Sequence, residues 1–151
     1  MSRLPVVGSD SNAWGAVLND FLSVAHNANG TLKTFISVTD FGASPGNTAA
    51  QNDTAFAAAI AALPASGGVI AVPSTGIYLI SQPIIINNDG VSLVSLGQRD
   101  GSATIQIAPT ADPSYALIVG NTRNSDSCLI SGIAFIGRNN TTSTGKGILF
   151  R

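Results

Sequence analysis

The stretch that decides the fold begins with Val38-Thr-Asp-Phe-Gly-Ala43 and passes through an alanine-rich segment. It continues with Gly67-Gly-Val-Ile-Ala-Val-Pro73 and Tyr78-Leu-Ile80. An amphipathic helix followed at once by short strands rich in β-branched residues suits a parallel β-solenoid, because the terminal turn of a solenoid needs a cap over its apolar face. The order of these elements therefore predicts a mainly β chain whose first turn is closed by a helix.

The predicted capping helix lies between these strand segments. Thr48-Ala-Ala-Gln51 has the spacing of an N-terminal capping box, and Asn52-Asp53 offers an alternative cap one turn later. Phe56, Ile60 and Leu63 recur at i, i+4 and i+7 on a background of alanine. This narrow apolar face is expected to cover the front of the solenoid, and Pro64 is expected to end the helix.

Beyond the helix, short apolar segments alternate with turn clusters rich in Gly, Ser and Asn. We predict strands at Val69–Pro73, Tyr78–Ile86, Val91–Gly97, Ala103–Pro109, Tyr115–Gly120, Ser127–Gly137 and Lys146–Arg151. Regular short strands with turn punctuation also fit a β-sandwich. The helix in front of the strands and the unalternating run Ile84-Ile-Ile86 favour the solenoid, since such runs are typical of strands buried within stacked parallel sheets.

Residues 1–34 form a separate N-terminal segment with the pattern of one helix. Asp10 or Ser11 can serve as its N-cap, and Asn27-Ala-Asn-Gly30 is expected to end it. The apolar positions of this helix fall at spacings of three and four: Trp14, Leu18, Phe21, Leu22 and Ala25. An isolated helix of about four turns is marginal in water. The stripe therefore needs a partner surface, either the solenoid of the same chain or another subunit, and we favour another subunit.

Composition limits the functional classes. Only 10% of the 151 residues are charged and the formal net charge is −1, so we expect neither a nucleic-acid partner nor binding to an anionic membrane. The N-terminus lacks the apolar stretch of a signal peptide, and the longest apolar run, residues 55–65, is too short to span a bilayer. The single cysteine, Cys128, is predicted to be a buried thiol without a disulfide partner.

A resemblance to a known family rests on several motifs. These are Val38-Thr-Asp-Phe-Gly-Ala43, Asn52-Asp-Thr-Ala-Phe56, Ala58-Ala-Ile60, Gly67-Gly-Val-Ile-Ala-Val-Pro73, Gly76-Ile-Tyr78, Gly90-Val-Ser-Leu93 and Leu129-Ile-Ser-Gly-Ile-Ala-Phe135. Through them, residues 36–151 resemble the beginning of the pectate-lyase-like superfamily of right-handed parallel β-helices. Residues 4–33 are similar to a leader found at the front of bacteriophage tail fibre proteins. The resemblance implies an anchor segment at 1–34 and an incomplete right-handed β-helix over 35–151.

The same resemblance implies a structural virion protein, a component of a tail fibre or tail spike. Trp14, Leu18, Phe21 and Leu22 would attach it to other tail or baseplate proteins in a particle assembled in the host cytoplasm. The protein would form a homotrimer, and a distal part of its β-helix would recognise a host-surface polysaccharide. The alternative is the N-terminal part of a secreted bacterial polysaccharide lyase or glycoside hydrolase.

The sequence offers no constellation of residues that we assign to catalysis. The acidic candidates after Val69 all sit in turn clusters, where aspartate usually bonds nearby backbone: Asp89, Asp100, Asp112 and Asp126. We therefore assign no catalytic residue and expect no enzymatic activity from these 151 residues alone. His26 has no second His or Cys as a co-ligand, and we expect neither a metal nor another cofactor.

The last segment, Gly147-Ile-Leu-Phe-Arg151, is apolar and has no capping element after it. Solenoid ends need polar or helical caps. We expect that the native chain continues past Arg151 or that another chain covers this end, and we favour continuation.

Overall fold

The computed structural model describes residues 13–26, 32–74, 76–95, 97, 103–111, 113, 115–122, 125–137 and 146–151. Within these ranges the chain is mainly β, as the sequence predicts. The elements in chain order are α1 (Trp14–Leu22), β1 (Phe35–Ser37), a 3₁₀ turn (Val38–Phe41), α2 (Ala49–Ala61), β2 (Gly68–Val72), β3 (Ile77–Ile80), β4 (Ile84–Ile86), β5 (Val91–Ser95), β6 (Ala103–Ile107), β7 (Tyr115–Val119), β8 (Leu129–Ser131), β9 (Ile133–Ile136) and β10 (Lys146–Phe150).

The strands form three sheets, in the orders β1-β2-β5-β8, β3-β6-β9 and β4-β7-β10. From β2 onward, every third strand therefore returns to the same sheet. We call β2–β4, β5–β7 and β8–β10 the first, second and third triplets. Every strand pairing among the described residues is parallel. These pairings exclude the β-sandwich, whose two sheets are antiparallel.

The parallel register stacks inward-facing side chains of successive triplets into columns. One column runs Ile36, Ile70, Leu93, Ile130. Three more run Tyr78, Ile105, Phe135; Ile84, Leu117, Ile148; and Ile86, Val119, Phe150. The members from the first and second triplets are buried, and the core lies where these columns meet.

Two predicted strands are each two strands in the structure. The predicted strand Tyr78–Ile86 divides into β3 and β4 at Ser81-Gln82-Pro83, where proline has no N–H to donate to a sheet. The predicted strand Ser127–Gly137 divides into β8 and β9 at Gly132, whose φ of 68° lies in the left-handed region. Both turns send the chain from one sheet to the next, so the predicted single strands were wrong.

The alternating apolar and polar residues Phe35-Ile-Ser-Val-Thr39 predict an entry strand, and the observed strand is shorter than this pattern. β1 ends at Ser37, and the chain then enters the 3₁₀ turn. The Ser37 side chain accepts a hydrogen bond from the Thr39 N–H, and the Asp40 carboxylate accepts one from the Ser37 N–H. Gly42 ends the turn with a φ of 90°. This local capping outweighs the strand-like pattern of the sequence.

The capping box of α2 is confirmed. The Thr48 side chain accepts from the Gln51 N–H, and the Gln51 side-chain oxygen accepts from the Thr48 N–H at 2.9 Å. The helix packs against the 3₁₀ turn, β3 and β4, and so covers these two strands of the first triplet, while β1 pairs with β2. Phe56 is buried, with its ring edge-on to Tyr78 at a centroid separation of 6.1 Å.

The other two predicted cap residues are also in the packed region. Leu63 is buried, although it lies beyond the end of α2 at Ala61. Ile60 is only half-buried and packs at the margin of the core. The cap therefore depends more on Phe56 and Leu63 than on Ile60.

The first helix is shorter than predicted. α1 begins at Trp14 with Ala13 as its N-cap, and no side chain caps that end. The proposed caps, Asp10 and Ser11, lie outside the described residues. α1 ends at Leu22 rather than near Asn27–Gly30, a range that also lies outside the described residues. The backbone turns at residues 23–25 instead, and the Lys33 N–H donates to the Ala25 carbonyl oxygen at 2.8 Å.

Candidate functional site

The apolar stripe of α1 is the first candidate surface. Its residues fall at i, i+4, i+7 and i+8, which brings them to one side of a helix: Trp14, Leu18, Phe21 and Leu22. No side chain of α1 is buried. Trp14 is 47% exposed and Phe21 is 40% exposed. Such large apolar groups on a nine-residue helix are typical of a surface that packs against another element.

The front of the strand stack is closed by polar groups of α2 as well as by Phe56. Asn52 is fully buried. Its Oδ1 accepts a hydrogen bond from the Ser44 N–H at 3.0 Å and one from the Asn47 side chain at 3.3 Å, and its Nδ2 donates to the Leu79 carbonyl oxygen at 3.0 Å. These three bonds give both the oxygen and the nitrogen of the buried amide a partner. They also show that this asparagine links α2, the preceding loop and β3.

Asp53 supplies the next part of the same cap. Its carboxylate accepts from the Ser81 N–H at 3.0 Å and from the Gln82 N–H at 3.3 Å. The Ser81 hydroxyl also donates to it. The turn between β3 and β4 is therefore held to the helix by one carboxylate.

Sequence reasoning missed both of these roles. It treated Asn52-Asp53 only as an alternative start of the helix. A usable signal was present, since Asn52 lies one turn before Phe56 and therefore on the buried face of α2.

A groove of about 290 Å³ lies between α2 and β4. Its apolar walls include Ile60, Pro83 and Ile85, and the amide side chains of Gln82, Asn87 and Asn88 supply polar groups. Among the lining residues that the structure describes, Asp53 is the acidic one. That carboxylate already accepts the hydrogen bonds of the β3–β4 turn, and the amide groups offer hydrogen bonding to a neutral ligand.

The acidic turn residues that the structure describes hold successive turns together. The Asp89 carboxylate accepts a hydrogen bond from the Asp126 N–H at 3.1 Å, and the Gly90 N–H donates to the Asp126 carbonyl oxygen at 2.9 Å. Asp100 and Asp112 lie outside the described residues. Within the described ranges, no group of three or more His, Cys, Asp or Glu side chains could hold a metal ion.

Cys128 lies beside the same turns and is half-buried rather than buried. Its Sγ is 3.5 Å from the Asn88 carbonyl oxygen and can donate a weak hydrogen bond to it. The thiol also packs at the margin of the core. It therefore bridges two successive turns.

The opposite end of the stack is open among the described residues. β8, β9 and β10 are the outermost strands of their three sheets at this end. Phe150 is 60% exposed, whereas Val119, its neighbour in the same core column, is 1% exposed. Ile148 is 38% exposed, whereas its neighbour Leu117 is fully buried. Among the described residues, no layer covers the inward-facing side chains of the third triplet as the third triplet covers those of the second.

The described helices include none that is long and apolar enough to cross a lipid bilayer. No protein-family model, no curated protein and no solved structure matches this chain.

Proposed function

We propose that this protein is a structural component of a virion, belonging to a tail fibre or tail spike. Its N-terminus attaches to other tail or baseplate proteins, and its strands form a right-handed parallel β-helix that presents a glycan-binding region to the host surface. The observation that carries the proposal is the exposed apolar stripe of α1, which precedes a strand stack whose front is already closed by α2.

The energetics of α1 favour attachment of its apolar stripe to another protein. A helix of nine residues gains little from its own hydrogen bonds, because nucleation is costly and few residues propagate it. Burying an exposed aromatic side chain contributes roughly 1.5–3 kcal/mol. Trp14 and Phe21 therefore supply the main driving force for docking onto a separate protein.

The strand order supports the β-helix. Each of the three sheets gains one parallel strand per triplet, which is the arrangement of a chain winding around a common core. Right-handed connections dominate between parallel strands of one sheet, so we assign the right-handed form. The low charge of the sequence suits recognition of glycan hydroxyl groups through uncharged side chains. The homotrimer belongs to the same proposal and rests on the resemblance to tail fibres and tail spikes.

The test is co-expression of the chain with the structural proteins encoded beside its gene, followed by affinity purification and mass measurement. We expect a defined complex that is lost in the double variant Trp14→Ala, Phe21→Ala. Val24→Ala is the matched control, since Val24 is 61% exposed but lies outside the helix and its stripe. A chain that binds none of these proteins, or a complex that survives the double variant, would contradict the attachment.

A second measurement separates this proposal from the enzyme alternative. The purified chain is incubated with bacterial capsular polysaccharide and with pectin, and new reducing ends or unsaturated products are quantified. We expect no release above a buffer control. Release by the chain would overturn the proposal in favour of a polysaccharide-degrading enzyme.

A further inference from the structure

The groove between α2 and β4 is a concave apolar surface with room for side chains of another element. Its helix wall is one face of α2, with residues at i, i+3, i+4, i+7 and i+8: Asp53, Phe56, Ala57, Ile60 and Ala61. Its other wall is formed by β4 and the turns on either side of it, between Gln82 and Asn88. Ile60 and Ile85 are only half-buried there. Two such walls favour an apolar occupant over water.

Backbone pairing joins the end of α1 to the start of β1. His26 and Leu32 form an antiparallel bridge. Beside it, the Lys33 N–H donates a hydrogen bond to the Ala25 carbonyl oxygen at 2.8 Å. The C-terminal end of α1 is therefore held close to the front of the stack, where β1 begins.

The start of β1 lies at the corner of the stack where the groove ends. Gly68 is placed between Thr34, which precedes β1, and Gly90. The Gly68 N–H donates to the Gly90 carbonyl oxygen at 3.1 Å, and a Cβ added to Gly68 would lie 2.7 Å from the Thr34 carbonyl oxygen. Neighbouring strands are about 4.8 Å apart, so Thr34 lies roughly 10 Å in front of Gly90. Asn88, which lines the groove, comes just before Asp89 and Gly90. α1 is thus attached beside the Asn88 end of the groove.

The stripe of α1 and the groove match in length and in charge. The nine residues of α1 extend about 13 Å, and the segment from Gln82 to Asn88 spans at most about 20 Å. Asp20 is the only charged residue of α1, and helical spacing places it on the side opposite the stripe. The stripe can therefore face the groove without bringing a second carboxylate towards Asp53.

We propose that α1 is a strap that closes over the groove of its own chain and places Trp14 and Phe21 against Ile60 and Ile85. In the structure α1 stands open, with Trp14 47% exposed. The turn at residues 23–25, between α1 and its pairing with the start of β1, is the hinge. Closure removes two apolar surfaces from water at once, and the short connection makes it favourable over contact with a second copy.

The strap regulates the stripe that the proposed function uses for attachment, and this consequence rests on that function. A tail protein that binds the stripe must first displace α1 from the groove. Its apparent affinity is lowered by the fraction of chains in which α1 is closed. Closure itself requires no partner and is measured on the purified chain.

The test uses the fluorescence of Trp14, which is the only tryptophan in the sequence. We expect the full chain to emit at shorter wavelength, and to be quenched less by acrylamide, than the variants Ala57→Glu and Ala61→Glu, measured separately. Each variant places a charge in the groove wall. Both alanines are exposed on α2 and glutamate is also a good helix former, so the thermal unfolding midpoints should be unchanged. Ala50→Glu is the matched control, exposed on the same helix outside the groove, and should keep the original emission.

Three results would overturn the strap. The first is identical emission and quenching in the original chain and both groove variants. The second is an equal shift in Ala50→Glu, and the third is a signal that changes on dilution, which would show contact between copies. Tail-protein binding through the stripe with unshifted emission would remove the strap and leave the proposed function standing. A closed strap in a chain that binds none of the tail proteins would do the reverse.

Discussion

Asn52 on α2 donates a 3.0 Å hydrogen bond from its side-chain Nδ2 to the backbone carbonyl oxygen of Leu79 on β3. Among the strands that the structure describes, β3 is outermost in its sheet, and none lies beside this carbonyl on that side. A helical side chain thus takes the place of the missing strand. Asp53 does the same for the N–H of Ser81 in the following turn. The front of the stack is therefore closed by hydrogen bonds from α2 side chains to the backbone of β3 and its following turn, in addition to the apolar packing of α2.

We expect Asn52→Ala to destabilise the fold by about 2–4 kcal/mol, because the Ser44 N–H and the Leu79 carbonyl would lose their partners in a buried site. Chemical denaturation monitored by far-UV circular dichroism measures this loss. Thr54→Ala is the control, since Thr54 is exposed on the same helix and should change stability by no more than about 0.5 kcal/mol. Equal effects of the two substitutions would contradict the role given to Asn52.

Asp53→Ala is expected to loosen the turn between β3 and β4 more than the rest of the chain. The Ser81 and Gln82 N–H groups would lose a charged acceptor, a loss of about 1.5–3 kcal/mol when the group is desolvated and less here because Asp53 is only half-buried. Amide hydrogen exchange should show faster exchange at Ser81 and Gln82. Protection at Ile105, which lies in the buried β6, should be unchanged until global unfolding. Uniform loss of protection would argue against a local role.

Substitution of the three predicted cap residues by alanine should give a ranked series. Phe56→Ala removes a buried ring packed edge-on against Tyr78 and should cost about 3–5 kcal/mol. Leu63→Ala should cost about 2–4 kcal/mol, because Leu63 is also buried. Ile60→Ala should cost less than about 2 kcal/mol, since Ile60 is only half-buried beside the groove. Denaturation midpoints that place Ile60 first would refute the packing described for this helix.

Gly67→Ala is expected to destabilise the chain, because Gly67 has a φ of 83° and an added Cβ would lie 2.2 Å from the Asp89 carbonyl oxygen. The left-handed backbone alone costs about 1–2 kcal/mol for a residue with a side chain. Gly15→Ala is the opposite case, since nothing lies within 4 Å of its added Cβ and alanine favours a helix by about 1 kcal/mol. Thermal unfolding of both variants, with α1 followed by amide exchange, tests the contrast. A tolerated Gly67→Ala would show that the turn at Asp89 can move.

Much of the fold was predictable because its signals are local. The Thr48–Gln51 capping box is a short-range pattern and is confirmed, and Phe56 is buried on α2. The division of two predicted strands was missed although Pro83 and Gly132 marked it. Apolar residues flank each break, so the two strands on either side of it look like one continuous strand in the sequence.

The polar cap could not be predicted in the same way. The partners of Asn52 and Asp53 lie 27 and 28 residues along the chain, at Leu79 and Ser81. Which strand edge needs a partner depends on the order of strands in the sheet, and that order appears only in three dimensions. The stripe Trp14, Leu18, Phe21 and Leu22 was recognised from spacing, and its use as a docking surface stays a prediction.

The core columns carry a consequence for how this sequence can change over time. Leu93 stacks between Ile70, 23 positions earlier, and Ile130, 37 positions later. A change of volume at Leu93 must be absorbed by those two side chains rather than by its neighbours in sequence. An inserted residue in β5 would turn its core side chains outward, whereas an insertion between strands leaves both registers intact. Viable descendants of this chain should therefore vary in the length of their turns and co-vary along the columns.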